Sequence, residues 1–312
     1  MNENLINSHD KFFKELFSRQ NEVKEFVLKT FPVKLTQKLK LETLELDKTE
    51  YVDKKLKTSF SDIVYNCVYG KDTKIKISLL FEHKSYPESY PHLQLLGYML
   101  NIWQTQIKQK QDLVPVIPII FYHGDRKWTQ KPFEKYFEEI DETLQKFIPK
   151  FDYLLIDTST FTDRQIKDLF ESLELQIGLL IMKNIYNEQK ILQEITEIFA
   201  GINQIIQTEH GEQFFETIIT YLFYATELET SKIVEKMRTI SPKAGEKFVS
   251  TAMRLQLKGK IEGRVEGIEK VAFSMLKKGY SYAEITELTG LSKLQLDYLK
   301  SLDEYQLDIE TI

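Results

Sequence analysis

The 312-residue chain has one cysteine, Cys67. A single thiol excludes an internal disulfide and a cysteine-rich zinc site, and it suits a reducing cytoplasm. Long apolar runs are also missing: none approaches the roughly 20 residues of a membrane-spanning helix. Met1-Asn2-Glu3-Asn4 has neither the basic nor the apolar stretch of a secretion signal. These features lead us to expect a cytoplasmic protein without membrane contact. Excess positive charge is lacking too, since 42 Lys+Arg face 47 Asp+Glu for a net charge of −5. No global basic field advertises nucleic acid, so any such contact must come from a local patch. Twelve glycines and eight prolines leave few long loops, and low-complexity tracts are absent. The length allows a sizeable core and one to three domains.

What is present is organised around Leu79-Leu80-Phe81-Glu82-His83-Lys84-Ser85. Ile75, Ile77, Leu79 and Phe81 alternate with Lys76, Ser78, Leu80 and Glu82, which predicts a strand with the first set on its buried face. The same parity puts Glu82 and Lys84 side by side on the other face, with His83 on the buried side. Upstream, residues 60–69 predict a second strand, which carries Asp62. The short turn Gly70-Lys71-Asp72 joins the two as a hairpin. Antiparallel pairing then brings Asp62, near the start of one strand, beside Glu82, near the end of the next. An acid on one strand followed by Glu-x-Lys on its neighbour is what a metal-dependent phosphodiesterase needs. Asp62 and Glu82 would hold Mg²⁺, and Lys84 would orient or polarise the attacking water.

Ser8 predicts an N-cap for a helix over 9–31, in which Phe12, Phe13, Leu16, Phe17, Val23, Phe26 and Val27 recur at helical spacing and which Pro32 stops. Residues 40–46 predict a first strand, with Leu39, Leu41, Leu44 and Leu46 as its apolar members. A helix is expected over 91–108, with Leu93, Leu96, Leu100 and Trp103 on one side. The apolar run over 114–122 predicts a strand buried on both faces, and Pro115 and Pro118 argue for an edge or bulge near its start. A last short strand is expected over 151–156. Strands alternating with helices indicate an α/β, mixed α+β core. From residue 162 to about 257 the chain reads as a helical bundle, with breaks near 184–188, 209–211 and 241–242. Gly259, Gly263 and Gly267 form a stripe on a further helix. Each costs about 1 kcal/mol relative to alanine, which suggests the close approach of another backbone, or else a repeat-like linker helix. Ser281-x-x-Glu284 and Ser292-x-x-Gln295 are capping boxes on either side of a Thr289-Gly290-Leu291 turn, the pattern of a small helix-turn-helix. The expected domains are therefore 1–160, 161–257 and 258–312.

Asp62 followed by Glu82-x-Lys84 resembles the catalytic signature of the PD-(D/E)xK nuclease superfamily. Gln94-Leu95-Leu96-Gly97-Tyr98 is similar to the Q-x-x-x-Y helix motif of its RecB-like branch. Together with His9-Asp10-Lys11-Phe12-Phe13-Lys14, Phe60-Ser61-Asp62 and Ile119-Ile120-Phe121-Tyr122-His123-Gly124, these segments resemble the Rpn family of recombination-promoting nucleases, also described as YhgA-like transposases. The resemblance covers the first half well and the tail more loosely. It departs from the superfamily pattern at Ser61, where the superfamily name has proline. It implies a restriction-endonuclease-like core and a Mg²⁺- or Mn²⁺-dependent DNA endonuclease tied to recombination or transposition. Asp62, Glu82, Lys84, Gln94 and Tyr98 would then be the site, with the backbone carbonyl of His83 as a further metal ligand.

Each of these residues also has a plainer reading. Glu-x-Lys can be a solvated strand end. Tyr98 can be a core aromatic, and His9 and Asp10 an N-terminal cap, while Glu15 could supply a further carboxylate. Asp157 reads as a helix or turn cap. Arg126, Lys127, Trp128 and Lys131 either grip DNA phosphates, with Trp128 stacking on a base, or form a solvated loop. The tail serves DNA reading or assembly, including a homo-oligomer through the C-terminal helices. A catalytically inactive nuclease scaffold that binds DNA or assembles is the alternative to the enzyme.

Overall fold

The computed structural model describes residues 3–48, 61–82, 87–124, 126–137 and 140–309. The chain opens with α1 (Glu3–Phe17), α2 (Gln20–Thr30) and the short α3 (Val33–Thr36). The single helix expected over 9–31 is in fact two. Arg19 is extended at φ −85° and ψ 115° and starts α2. Its buried guanidinium sits in the joint, 2.7 Å from Glu15 and 3.1 Å from Glu174 and over the ring of Phe214. The break lets both helices bring phenylalanines to one place: the rings of Phe17 and Phe26 lie 5.4 and 5.9 Å from that of Phe121. Apolar spacing continues through such a break and does not reveal it. Because α1 begins at Glu3, Ser8, His9 and Asp10 lie inside the helix and do not cap it.

β1 (Leu39–Leu46), β2 (Ser61–Tyr69) and β3 (Thr73–Glu82) form an antiparallel meander. Gly70, at φ +64°, takes the left-handed conformation that the turn between β2 and β3 requires. In β1 only Leu39 and Leu44 are buried. A register shift between Lys40 and Glu45 breaks the alternation, so Leu41 and Leu46 are not core residues. α4 (Pro91–Lys108) is the crossover to β4 (Val116–Tyr122), which pairs parallel with β3. α5 (Glu142–Gln145) precedes β5 (Leu154–Asp157), which pairs parallel with β4 to complete a five-stranded mixed sheet in the order β1-β2-β3-β4-β5. The β4–β5 ladder begins at Ile119, so Pro115 and Pro118 fall where β4 has only β3 beside it.

Two faces of the sheet follow from this register. Tyr65 donates its hydroxyl to the carbonyl of Phe17, so the odd-numbered positions of β2 face α1. Val64 packs with Ile102 of α4, so the even-numbered positions face α4. α4 itself is turned by about one residue from the expected orientation. Its buried side is His92, Leu95, Tyr98, Met99, Ile102 and Gln106, whereas Leu93 and Leu100 are exposed. The polar members His92 and Gln106 disguise this face: His92 Nδ1 bonds the Tyr136 hydroxyl at 2.9 Å, and Gln106 accepts the amide of Val114.

The remaining helices are α6 (Asp163–Leu169), α7 (Leu173–Asn184), α8 (Glu188–Ile198), α9 (Ile202–Ile205), α10 (Glu209–Ala225), α11 (Thr230–Ile240) and α12 (Pro242–Lys277). Their ends at 184–188, 209 and 240–242 match the breaks expected from the sequence. α1 is sandwiched between the sheet and α10: Phe13 meets Phe121 on one side, and Phe12 stacks on Tyr221 at 4.5 Å on the other. α1 also crosses α7 closely, since a Cβ at Gly178 would stand 2.7 Å from Leu16.

Contacts divide the chain into a compact unit of residues 1–249 and a second of 250–312. The second unit holds the later part of α12 with α13 (Tyr282–Thr289) and α14 (Lys293–Ile309) around Ala272, Ile285, Leu291, Leu296 and Leu299. Both expected capping pairs form, Ser281 with Glu284 and Ser292 with Gln295, and Gly290 ends α13 at φ +74°. The glycine stripe has no backbone against it: among the described residues nothing lies within 4 Å of a Cβ built on Gly259, Gly263 or Gly267. No helix among the described residues is long and apolar enough to cross a membrane.

Candidate active site

Asp62 lies opposite Leu80 in the β2–β3 ladder, and Glu82 is two residues beyond Leu80. Opposed residues share a face and parity repeats every second residue, so positions 62 and 82 belong to the face that α4 covers. Glu82 in turn lies opposite Tyr122 on β4, and Tyr122 opposite Asp157 on β5. Residues 83–86, with His83 and Lys84, lie outside the described residues, as does Phe60.

α4 brings Gln94 and Tyr98 to the same face, Gln94 half-buried and Tyr98 buried. Tyr98 belongs to a cluster with Leu95, Ile120, Tyr122, Trp128 and Tyr153. Its core reading therefore holds whatever else it does. The cluster also corrects the expectation for Trp128. The indole is 5% exposed and meets Tyr122 edge-on at 5.0 Å, so it is not displayed on the surface for stacking. Arg126, Lys127 and Lys131 of the same loop are exposed.

Asp157 does act as a cap. Its buried carboxylate accepts the amides of Trp128 at 3.0 Å and Ser159 at 2.9 Å. Glu15 is taken up by Arg19. Sequence reading did not anticipate the histidines behind the sheet end. His123, the residue after β4, is fully buried, and its Nδ1 lies 2.9 Å from the carbonyl of Met182, which makes that nitrogen the donor. His9 lies with its ring centroid 5.5 Å away and its Nδ1 2.7 Å from the hydroxyl of Tyr221. Burial raises the Tyr221 phenol well above its ordinary value and keeps it protonated. The available signal was the polar His-Asp pair inside an apolar helical pattern.

Gly124 closes this end of β4. Any Cβ there would strike the Tyr122 side chain at 2.1 Å, so only glycine lets the chain leave the strand while the tyrosine keeps its place.

Comparison with known proteins agrees with the resemblance to the Rpn family. The chain is 25% identical over 294 residues to the inactive recombination-promoting nuclease-like protein RpnE of Escherichia coli K12, covering 91% of this chain and 94% of that one. It is 23% identical over 292 residues to the recombination-promoting nuclease RpnA of the same strain, with 92% and 95% covered. It is 24% identical over 310 residues to the recombination-promoting nuclease RpnC, with 94% and 97% covered. No solved structure matches. Residues 7–213 match the family described as "Putative transposase, YhgA-like", a span that holds the whole sheet, α4 and the helices through α9 and ends in the first turns of α10. The chain belongs to this YhgA-like transposase family.

Proposed function

We propose that this protein is a Mg²⁺- or Mn²⁺-dependent DNA endonuclease acting in recombination or transposition, on a restriction-endonuclease-like core. The observation that supports this reading is the β2–β3 register, in which positions 62 and 82 share the parity of the sheet face that α4 covers. Relatives named recombination-promoting nucleases along nearly their whole length support it. Carboxylate oxygens are the donors that hard divalent cations take, so Asp62 and Glu82 fit such an ion, with the His83 carbonyl as a further oxygen. A cation held there supplies charge neutralisation at the scissile phosphate. Lys84 donates no ligand; its fixed positive charge orients the attacking water or steadies the developing negative charge. Gln94 and Tyr98, four residues apart on α4, share one helix side toward the site. Arg126, Lys127 and Lys131 hold DNA phosphates from the loop after β4. In the second unit, α13 and α14 form a small helix-turn-helix for targeting or for homo-oligomer assembly.

A second reading has its own observation. One relative matched over most of its length is named inactive, and the net charge of −5 gives DNA no general attraction. On that reading the chain is a DNA-binding or assembly scaffold. Metal-dependent nicking of supercoiled plasmid separates the two, with Asp62→Ala as control. Nicking that needs Mg²⁺ or Mn²⁺ and vanishes in the variant supports the enzyme; no nicking with either ion supports the scaffold.

A further inference from the structure

α4 has two apolar sides, and the sheet covers one of them. The covered side holds Leu95, Met99 and Ile102, with Ile102 packed against Val64. On the opposite side Leu93, Leu100 and Ile107 recur every seven residues and are 53%, 45% and 61% exposed. Leu96 and Trp103, both half-buried, stand in the intervals. Apolar residues at 93, 96, 100, 103 and 107 have the alternating spacing of three and four by which one helix packs along another. Leu113 is exposed beside the end of this row, since Trp103 donates its indole N–H to the carbonyl of the next residue, Val114, at 2.9 Å. Exposed leucines scattered singly are ordinary, whereas a contiguous apolar row marks a contact surface.

Charge decides what kind of partner fits. Residues 91–107 contain no Asp, Glu, Lys or Arg, in a chain that is 29% charged. A face without cations gives phosphates nothing to pair with, and it lacks the basic side by which surface helices bind lipid. It can meet an equally uncharged face without repulsion, and every copy of this chain supplies one. The order of the side chains also favours a copy. Leu93 and Ile107 are each seven residues from Leu100, and Leu96 and Trp103 are four and three. The row therefore reads nearly the same in both directions, as an isologous two-fold contact requires.

We infer that α4 is a dimerisation helix, along which the α4 of a second copy of this chain packs antiparallel. With the two-fold axis at Leu100, the two helices pair Leu100 with Leu100, Leu93 with Ile107 and Leu96 with Trp103. Gly97 flanks the same side, and an added Cβ there would meet no other element within 4 Å among the described residues. Its bare backbone lets the second helix come close. α4 has 18 residues and is about 27 Å long. One side of it in each copy gives an interface smaller than the roughly 1,600 Å² of a standard complex, so the dimer forms reversibly with concentration. The inference does not depend on the nuclease reading, and it uses a surface other than the C-terminal helices.

The test is sedimentation equilibrium of the full chain from micromolar to submillimolar concentration. The average mass should rise from that of one chain toward that of two. Leu100→Lys sets two like charges against each other at the axis and should weaken the dimer at least about tenfold. Leu93→Lys and Ile107→Glu should each weaken it as well. The two combined in one chain put opposite charges together at both ends of the helix pair and should associate more tightly than either alone. All three positions are exposed, so the variants should keep the circular dichroism of the parent. A chain that stays monomeric throughout overturns the inference. So does a dimer that Leu100→Lys leaves intact, which would put the contact elsewhere, in the second unit for example. A combined variant no tighter than the single ones overturns the antiparallel pairing.

Discussion

Asp157, the last residue of β5, accepts the backbone amide of Trp128 at 3.0 Å. Its other oxygen accepts the amide of Ser159, so one buried side chain ties the loop after β4 to the end of β5. Asp157→Ala strands both amides and should cost about 1–3 kcal/mol. We expect a lower urea midpoint and red-shifted tryptophan emission as Trp128 gains water. A variant with unchanged midpoint and emission would show that the loop is held by its apolar contacts alone.

The hairpin was legible because strand parity is a strict period, and two acids flanking a short turn fix their own relation. The helix after β3 was legible in extent but not in facing, because His92 and Gln106 bury polar groups whose partners, Tyr136 and Val114, are distant in sequence or outside the helix. Arg19 broke the first helix through contacts with Glu174 and Phe214, far along the chain. Trp128 read as a surface residue because basic neighbours surround it. Its burial depends on Tyr122 and Tyr153, which only the folded sheet brings near.

Asp163, at the start of α6, holds Lys190 at 2.7 Å and also binds Lys183. Burial alone would raise its carboxyl, but the two lysines override this and hold it well below the usual carboxylate range. A carboxylate depressed in the folded state contributes stability above its unfolded value, near 3.9, and loses it as pH falls toward the folded value. Asp163→Asn should therefore cost about 2 kcal/mol at neutral pH, and the gap to the parent chain should narrow below about pH 4. Glu194, raised by burial and by Asp163, offsets part of the loss when that charge is removed. Urea unfolding of both chains across the acid range measures the difference; a gap that stays constant with pH would contradict the assignment.

The role proposed for Lys84 separates binding from cleavage. Lys84→Ala should keep Mn²⁺ or Mg²⁺ affinity, read by calorimetry, because an ammonium is no metal ligand. Nicking should fall by at least about a hundredfold, the scale of one positioned proton-transfer or charge-stabilising group. Glu82→Ala should lose both. Unchanged turnover of Lys84→Ala at saturating metal would exclude the lysine from the chemistry.

The tail should be separable from the rest. Residues 1–249 form one compact unit, whereas the second has its own core of Ala272, Ile285, Leu291, Leu296 and Leu299. Between that core and the first unit in the chain, α12 carries Gly259, Gly263 and Gly267, where an added Cβ would meet no other element within 4 Å among the described residues. Each lowers helix propensity by about 1 kcal/mol relative to alanine without any packing to offset it. Deleting residues from Gly259 onward removes the second core whole and cuts the helix where it is intrinsically weakest. We expect the shortened chain to unfold in one cooperative urea transition, with the midpoint of the first unit retained and the slope reduced in proportion to the lost surface. A broad, non-cooperative transition would show that the glycine-bearing segment supports the first unit, and the division of the chain would have to move beyond it.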